Sequence, residues 1–352
     1  MANLDSLRVY DSIIGFANQV STTWTQIAYS TKLDRCSRAE NIVISGMGGS
    51  ALGGRIIQSL SQFILKAPLE LVTNYRLPAY VGPKSLVVLS SYSGDTEETI
   101  SCCADALKRK AQVFIITTGG KLASVATKYQ LPSLIFTPSD NPSNLPRMGL
   151  GYSITAQLAL LSHCRFIDFT PSDIEQIVTH LNSMTKHLAR EVTEKNNPAK
   201  VLAEKSKNRF LVLISANHLV GTAHAVKNMI NENSKTFAAS FDLPELNHHL
   251  LEGLSFPKGL KDKAHFLVLS SDLYPEVIKH RLEITKRVFT KFGYEVTTIK
   301  PDSSTPLTQA YETLYFGQFL SYYLGIINAI DPGPIPWVDY FKTELQKHQH
   351  RI

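Results

Sequence analysis

Two loops rich in glycine and hydroxyl residues are the parts of this sequence best suited to chemistry. They are residues 46–51 (GMGGSA) and 91–99 (SYSGDTEET), and each follows an apolar run and leads into a segment of helical length. Glycine lets the backbone approach an anion closely, and the N–H groups and dipole of a helix N-terminus favour negative charge. The hydroxyls of Ser50, Ser93 and Thr96 add donors. The loops therefore predict a phosphate site.

Each loop also has an ordinary structural interpretation. Residues 46–51 alone could be a strand-to-helix turn or an incomplete dinucleotide fingerprint, since the G-x-G-x-x-G frame is missing. The hydroxyls of Ser93 and Thr96 alone could simply form a turn or cap the next helix. Phosphate binding is favoured because the two loops occur together, at the ends of strands expected to be neighbours.

Apolar runs of strand length supply the elements that position these loops. In the first part of the chain they are residues 41–45, 69–73, 85–90, 112–117 and 133–137. Their nearly continuous hydrophobicity is typical of strands covered on both faces. The intervening residues 50–64, 97–110 and 121–129 have helical length, so the pattern predicts a doubly wound parallel sheet.

A second unit repeats the scheme, with strand-like runs at 210–215, 266–270 and 295–299. Helical segments are expected at 5–33, 218–231, 275–291 and 338–348. We expect an N-terminal helix and first domain over 1–165, a helical linker over 166–200, and a second domain with C-terminal helices over 201–352.

Composition narrows the class of protein. The chain has 352 residues, of which 43% are hydrophobic and 19% charged, with a net charge of +6. These values favour a globular protein, and the scattered basic residues give no nucleic-acid footprint. No run is apolar enough to span a membrane. Four cysteines (Cys36, Cys102, Cys103 and Cys164) show no metal-ligand spacing, and a reduced cytoplasmic location fits them.

The two loops resemble those of the sugar isomerase (SIS) domain. The whole chain is similar to the bifunctional phosphoglucose/phosphomannose isomerases, which have two such domains. The likeness extends through residues 146–153 (PRMGLGYS), 230–235 (INENSK), 244–248 (PELNH), 331–332 (DP) and 340–342 (YFK). It implies two flavodoxin-like domains, each built on a five-stranded parallel sheet flanked by helices.

The resemblance also implies roles for individual residues. Glu232 corresponds to the base that moves a proton between C2 and C1, and Arg147 to the cation facing the enediolate oxygens. His248 corresponds to the ring-opening histidine, with His249 as a rival, and Lys342 to a lysine that assists. The phosphate would bind to the residues of the two loops, namely Gly49, Ser50, Ser91, Ser93 and Thr96.

The implied activity is aldose–ketose isomerisation of glucose 6-phosphate and fructose 6-phosphate, without a metal or a cofactor. Mannose 6-phosphate is a further candidate, although Gly333 stands where some relatives carry threonine. The implied assembly is a homodimer with the active site near the subunit interface. An arabinose-phosphate or amino-sugar isomerase, and a sugar-phosphate-binding regulator without catalysis, remain as alternatives.

Overall fold

Two parallel β-sheets organise the computed structural model, which describes residues 4–28 and 38–349. The first sheet has the strand order β2-β1-β3-β4-β5, and all its neighbouring pairs are parallel. Its strands are β1 (Asn41–Ser45), β2 (Leu69–Val72), β3 (Ser85–Ser90), β4 (Gln112–Thr117) and β5 (Ser133–Ile135). All five coincide with the predicted runs, although β2 and β5 end earlier than expected.

The second sheet has the order β7-β6-β8-β9 and is again parallel. Its strands are β6 (Phe210–Ala216), β7 (Ala238–Leu243), β8 (Ala264–Leu269) and β9 (Glu295–Ile299). The two sheets confirm the α/β fold class. The expectation of five strands in each is wrong for the second sheet, which has four in the part of the chain that the structure describes. After β9 the polar residues 300–305 lead directly into a long helix.

Strand β7 is absent from the apolar runs read from the sequence, for a physical reason. It lies at the edge of the second sheet, and only its first and last residues are buried. An edge strand half open to solvent tolerates polar side chains such as Ser240 and Asp242. The central strands β3 and β8 are buried along their whole length, so their sequences are continuously apolar.

Helices connect the strands and cover both sheets. In the first half of the chain they are α1 (Val9–Ile14), α2 (Phe16–Ala28), α3 (Gly49–Ser59), α4 (Ser61–Ile64), α5 (Glu97–Lys108), α6 (Gly120–Tyr129) and α7 (Leu150–His163). In the second half they are α8 (Pro171–Leu188), α9 (Pro198–Ser206), α10 (Val220–Asn233), α11 (Leu260–Lys263), α12 (Glu276–Lys291), α13 (Pro306–Ile327) and α14 (Pro336–Gln349). No helix of the described segments has both the length and the apolarity to cross a bilayer.

Several sequence expectations can be placed on these helices. The predicted N-terminal helix is divided into α1 and α2, and residues 29–33 and Cys36 lie outside the described residues. Cys102 and Cys103 are buried on α5, where the sequence placed them. The division into domains at 165 and 200 stays a prediction.

Helices α3 and α10 cross at the contact between the two halves of the chain. A Cβ atom at Gly221 would lie 2.3 Å from the carbonyl oxygen of Arg55, so only glycine allows this approach. Near the same crossing, the hydroxyl of Ser59 donates to the carbonyl of His218 at 3.1 Å. The C-terminal end of α3 therefore meets the loop that follows β6, at the carboxyl edge of the second sheet.

The crossing predicts that Gly221→Ala destabilises the protein. Helix propensity alone would make this change favourable by about 1 kcal/mol. The clash with the Arg55 carbonyl should instead lower the free energy of unfolding by about 1–3 kcal/mol. Urea denaturation measures the difference.

Gly82→Ala is the matched control, because no atom lies within 4 Å of the Cβ position at Gly82. Its free energy of unfolding should stay within about 0.5 kcal/mol of the parent. A stabilised Gly221→Ala variant would contradict the close approach of the two helices.

Candidate active site

The first phosphate loop lies between β1 and α3. Gly49 is the first residue of α3, so the loop lies at a helix N-terminus, whose dipole favours an anion. The N–H groups of the next two residues, Ser50 and Ala51, donate to the carbonyls of Met47 and Gly48 at 3.0 and 3.1 Å. The Ser50 hydroxyl is buried and accepts a hydrogen bond from the Tyr92 N–H at 2.9 Å. This bond joins the first loop to the second, which contains Tyr92.

The second loop is a tight turn between β3 and α5. The hydroxyls of Ser91 and Thr96 lie 2.8 Å apart, and the Gly94 N–H donates to the Ser91 hydroxyl at 3.1 Å. Gly94 has φ +77, and a Cβ there would lie 1.9 Å from the Gly119 carbonyl oxygen. Ser93 is exposed at the tip of the turn. Because β1 and β3 are direct neighbours, both loops lie together at the carboxyl edge of the sheet, as the sequence predicts.

Arg147 is attached directly to the first loop. It lies in a short 3-10 helix, Pro146–Met148, just before α7. A Cβ at Gly49 would lie 2.7 Å from the Pro146 carbonyl carbon and 2.8 Å from the Arg147 nitrogen. The backbone of the phosphate loop therefore packs against the backbone that carries Arg147.

The Arg147 guanidinium is held in one orientation, with only 2% of its side chain exposed. Its Nε donates to Asn233 Oδ1 at 2.6 Å, and Nη2 donates to the carbonyls of Pro332 and Gly333 at 2.9 and 2.7 Å. Nη1 lies 3.4 Å from Glu232 Oε2. Since Nη1 has two N–H groups, it can donate to Glu232 and to a further acceptor beside that carboxylate.

The end of α10 positions Glu232 between two asparagines with different partners. Asn231 donates to the Ala238 carbonyl at 3.0 Å and accepts from the Ala238 N–H at 3.2 Å, which fixes the start of β7. Asn233 is fully buried and, besides accepting from Arg147, donates to the Ser321 hydroxyl at 3.0 Å. Glu232 lies between them and faces Arg147.

Helix α10 ends at Asn233 because of the conformation of the next two residues. The Ser234 hydroxyl donates to the Ile230 carbonyl at 2.6 Å, and Lys235 takes the left-handed conformation, with φ 51, that commonly follows a helix. This turn directs the Lys235 Nζ to the Asp331 carbonyl oxygen, 2.8 Å away. The sequence motif contains Lys235, but sequence reasoning assigned it no contact.

Opposing effects act on the pKa of Glu232. Partial burial removes water from the carboxylate and raises its pKa, whereas the positive charges of Arg147, Lys342 and Lys235 lower it. The net shift is upward. Burial also lowers the pKa of Lys235 to about 8, with a smaller contribution from Arg147. The site thus combines a carboxylate of raised pKa with three surrounding cations, one of them fully buried.

Residues near the C-terminus close the site. Lys342 is exposed on α14, yet it is close enough for its charge to act on Glu232. The backbone carbonyls of the turn at 331–333 accept hydrogen bonds from Arg147 and Lys235. A Cβ at Gly333 would lie 2.9 Å from the Leu7 side chain, so a side chain at this position would point towards Leu7.

His248 lies at the other end of the second sheet. Helix α10 runs from the carboxyl end of β6 back to the amino end of β7, so Glu232 lies at the amino edge, while His248 follows the carboxyl end of β7. The six residues of β7 span roughly 20 Å at about 3.3 Å per residue. One chain therefore does not bring His248 to Glu232.

The surroundings of His248 explain how it is presented. Its neighbour Asn247 is anchored to α12 by a bond to the Thr285 hydroxyl at 2.8 Å. His248 itself is exposed. The rival His249 is also exposed, and its ring centroid lies 6.2 Å from that of Phe241.

Comparison with known proteins gives both sequence and structural relatives. Residues 195–345 match the family described as "Bacterial phospho-glucose isomerase C-terminal SIS domain". A bifunctional phosphoglucose/phosphomannose isomerase from Caldicellulosiruptor bescii is 31% identical over 96% of this chain and 98% of its own length. A protein of the same name from Thermoplasma volcanium is 29% identical over 94% and 99%. A hypothetical protein from Thermus thermophilus shares the fold, with TM-score 0.77 and 15% identity over 96% and 90% of the two chains.

The charges around Glu232 predict the effect of Lys235→Gln on its titration. Removing the Lys235 cation removes one of the charges that lower the pKa of Glu232, so this pKa should rise by about 0.5–1 unit. The carboxyl carbon-13 resonance of Glu232, followed against pH by NMR, measures the shift.

Lys235→Arg is the control, since arginine keeps the charge at every accessible pH and should leave the Glu232 midpoint nearly unchanged. An equal shift in both variants, or none in Lys235→Gln, would show that Lys235 does not set the pKa of Glu232.

Proposed function

We propose a substrate pair on the basis of the family: the chain belongs to the bifunctional phosphoglucose/phosphomannose isomerases and is a sugar-phosphate isomerase. The proposed reaction is the interconversion of glucose 6-phosphate and fructose 6-phosphate. Mannose 6-phosphate is proposed as a second aldose substrate. The observation that carries the proposal is the contact of the buried Arg147 with Glu232 at 3.4 Å, beside the phosphate loops. The family assignment makes the chain an enzyme, so a regulator without catalysis is set aside.

The phosphate loops provide the binding step. The N–H groups at the start of α3 and α5, with the hydroxyls of Ser50, Ser91, Ser93 and Thr96, would hold the phosphate at the carboxyl edge of the first sheet. Binding energy from this remote group then positions the carbonyl end of the open sugar against Glu232. The contact of Gly49 with the Arg147 backbone keeps these two parts of the site together.

Glu232 would perform the proton transfer. Its carboxylate takes the proton from C2 of the aldose, the C2–H electron pair forms the C1–C2 double bond, and the former carbonyl oxygen gains negative charge. The proton of the C2 hydroxyl passes to the C1 oxygen, the carboxylic acid of Glu232 returns its proton to C1, and the C2 oxygen becomes the ketone. The raised pKa of Glu232 suits this double role, because it makes the carboxylate a stronger base for the proton on C2.

Arg147 would stabilise the enediolate oxygens. Its burial and its four acceptors fix the guanidinium before substrate arrives, so little reorganisation accompanies the formation of negative charge. Of its nitrogens, Nη1 lies beside Glu232 and retains a donor for an enediolate oxygen.

His248, the residue implied for ring opening, does not lie beside Glu232 within one chain. We assign ring opening to the His248 of a second copy, with Lys342 assisting, in a homodimer with two equivalent sites. Helix α14, which carries Lys342, supports an interface there because Trp337 and Phe341 are 81% and 63% exposed. Large apolar side chains exposed on one helix are typical of an association surface.

Glu232→Gln tests the base assignment. The amide keeps the shape of the side chain but cannot accept the proton, so kcat should fall by about 10²–10⁴-fold. A coupled assay on glucose 6-phosphate, mannose 6-phosphate, arabinose 5-phosphate and glucosamine 6-phosphate measures both the loss and the substrate preference.

Glu175→Gln is the matched control, since Glu175 is exposed on α8, and its kcat should remain at the parent value. A Glu232→Gln enzyme of undiminished activity would exclude Glu232 as the base. Turnover of arabinose 5-phosphate or glucosamine 6-phosphate without the hexose phosphates would replace the proposed substrate.

Mixed dimers test the shared site. Glu232→Gln and His248→Ala chains, each inactive as homodimers, are co-expressed with different tags and the mixed dimer is purified. One of its two sites then combines an intact Glu232 with an intact His248 from the other chain. A symmetric dimer therefore predicts about half the activity of the parent. A mixed dimer as inactive as the two variant homodimers would place both residues of a working site in one chain.

A further inference from the structure

The second sheet has its own cavity at its carboxyl edge, the same edge that carries the two predicted phosphate loops in the first sheet. Its volume is ≈ 530 Å³, within the range of small-molecule sites. It is lined by Ser215 and Asn217 at the end of β6, by 240–244 at the end of β7, and by the C-terminal half of α3. It therefore lies at the carboxyl ends of the neighbouring strands β6 and β7, the edge of a parallel sheet at which ligands bind.

In each half of the chain, the end of a helix from the other half lies at the carboxyl edge of the sheet. The carboxyl edge of the first sheet is completed by the C-terminal end of α10, which brings Glu232. The carboxyl edge of the second sheet is completed by the C-terminal end of α3, which brings Ser59 against the His218 carbonyl. The cavity is thus the counterpart of the active site across the α3–α10 contact.

Three basic groups lie in or next to this cavity. Arg55 of α3 and His224 of α10 line it, and Lys227 lies one helical turn beyond His224. Burial lowers the pKa of Arg55, and burial together with Arg55 lowers that of Lys227. Burial, Arg55 and Lys227 lower the pKa of His224 to about 4. Among the described residues, no carboxylate acts on any of the three strongly enough to offset these effects.

Polar atoms around the basic groups also lack partners. The Arg55 Nε and the Asn217 Oδ1 are buried with no hydrogen-bond partner among the described residues. A buried unpaired donor on a cation is costly, so such a group is typical of a site completed by a ligand. Asp242 also lines the cavity, but it is an exposed side chain at the rim.

We propose that this cavity is a second anion site, which binds a small phosphorylated polyhydroxy compound separately from the substrate. The phosphate would bind between Arg55, His224 and Lys227. The hydroxyl and amide side chains that line the cavity would receive the hydroxyl groups, and they are Gln58, Ser59, Ser61, Gln62, Ser215 and Ser240. The assignment stands on the cavity and its charges, independently of the isomerase mechanism.

The proposed site includes a titratable group that reports on binding. His224 faces Arg55 from α3, Lys227 from its own helix and Asp242 from the end of β7. A bound anion would offset the repulsion from Arg55 and Lys227, so binding should raise the pKa of His224 and be accompanied by proton uptake. Proton uptake by His224 therefore favours binding at lower pH, and the His224 titration separates this effect from protonation of the phosphate itself, whose second pKa is about 6.

The probes are inorganic phosphate and glucitol 6-phosphate, which has no carbonyl group and is not isomerised. NMR of the His224 ring follows its titration with and without each probe, in the parent and in a Ser93→Ala/Thr96→Ala variant that weakens the substrate site. Both proteins should show the upward shift of the His224 pKa. Preference for glucitol 6-phosphate over phosphate supports a polyol phosphate as the ligand.

Arg55→Gln and Lys227→Gln should each weaken binding at this site about tenfold or more, measured by calorimetry in the Ser93→Ala/Thr96→Ala background. Arg287→Gln, which removes an exposed cation of α12, is the control and should bind as the background does. Unfolding midpoints identify variants that fail to fold, and His224→Gln then serves as a replacement.

Two results would overturn the proposal. One is a His224 titration that neither probe changes in the parent protein. The other is dissociation of an oligomer when Arg55 or Lys227 is replaced, measured by sedimentation. The basic groups would then be neutralised by acids of a second copy.

Discussion

A buried arginine is the interaction on which the rest of this structure depends. Arg147 has only 2% of its side chain exposed, and an isolated charge in that position would be strongly unfavourable. Its acceptors are Glu232 and Asn233 of α10 and two carbonyls of the 331–333 turn, so satisfying one guanidinium brings separate parts of the chain together. Gly49 adds the phosphate loop through backbone packing. The hydrogen bonds that compensate the charge also fix the orientation of the guanidinium.

The cations around Glu232 and those around His224 differ in how far their charge is compensated. Around Glu232, three positive groups surround a carboxylate and several backbone carbonyls, and the cluster is nearly complete without a ligand. Around His224, burial and two positive groups lower the pKa of this third basic side chain, and no acid within residues 4–28 and 38–349 has a comparable effect on it. The two groups of cations lie at opposite ends of the α3–α10 pair. The group around Glu232 is suited to stabilising a reaction, and the group around His224 needs an external anion.

Much of the fold could be predicted from the sequence, because strands buried on both faces must be apolar along their whole length. Strand β7 could not, since an edge strand obeys no such rule. The pairing of Glu232 with Arg147 followed from family resemblance rather than from residue spacing. The separation of Glu232 from His248 depends on the direction in which α10 returns across the sheet. Arg55 and His224 are far apart in the sequence and belong to no motif, so only the fold brings them together.

The close crossing of α3 and α10 has a consequence for the length of the sugar phosphates that fit the proposed site. The phosphate loop is at the beginning of α3, and Glu232 is at the end of α10. Gly221 lets the two helix backbones touch, so neither helix can slide past the other without a backbone clash. In the proposed mechanism, the crossing therefore sets the distance between the bound phosphate and the carbon atoms that Glu232 would reach. Sugar phosphates with a shorter carbon chain would leave their carbonyl end short of the carboxylate, so the enzyme would discriminate between them by length as well as by hydroxyl configuration.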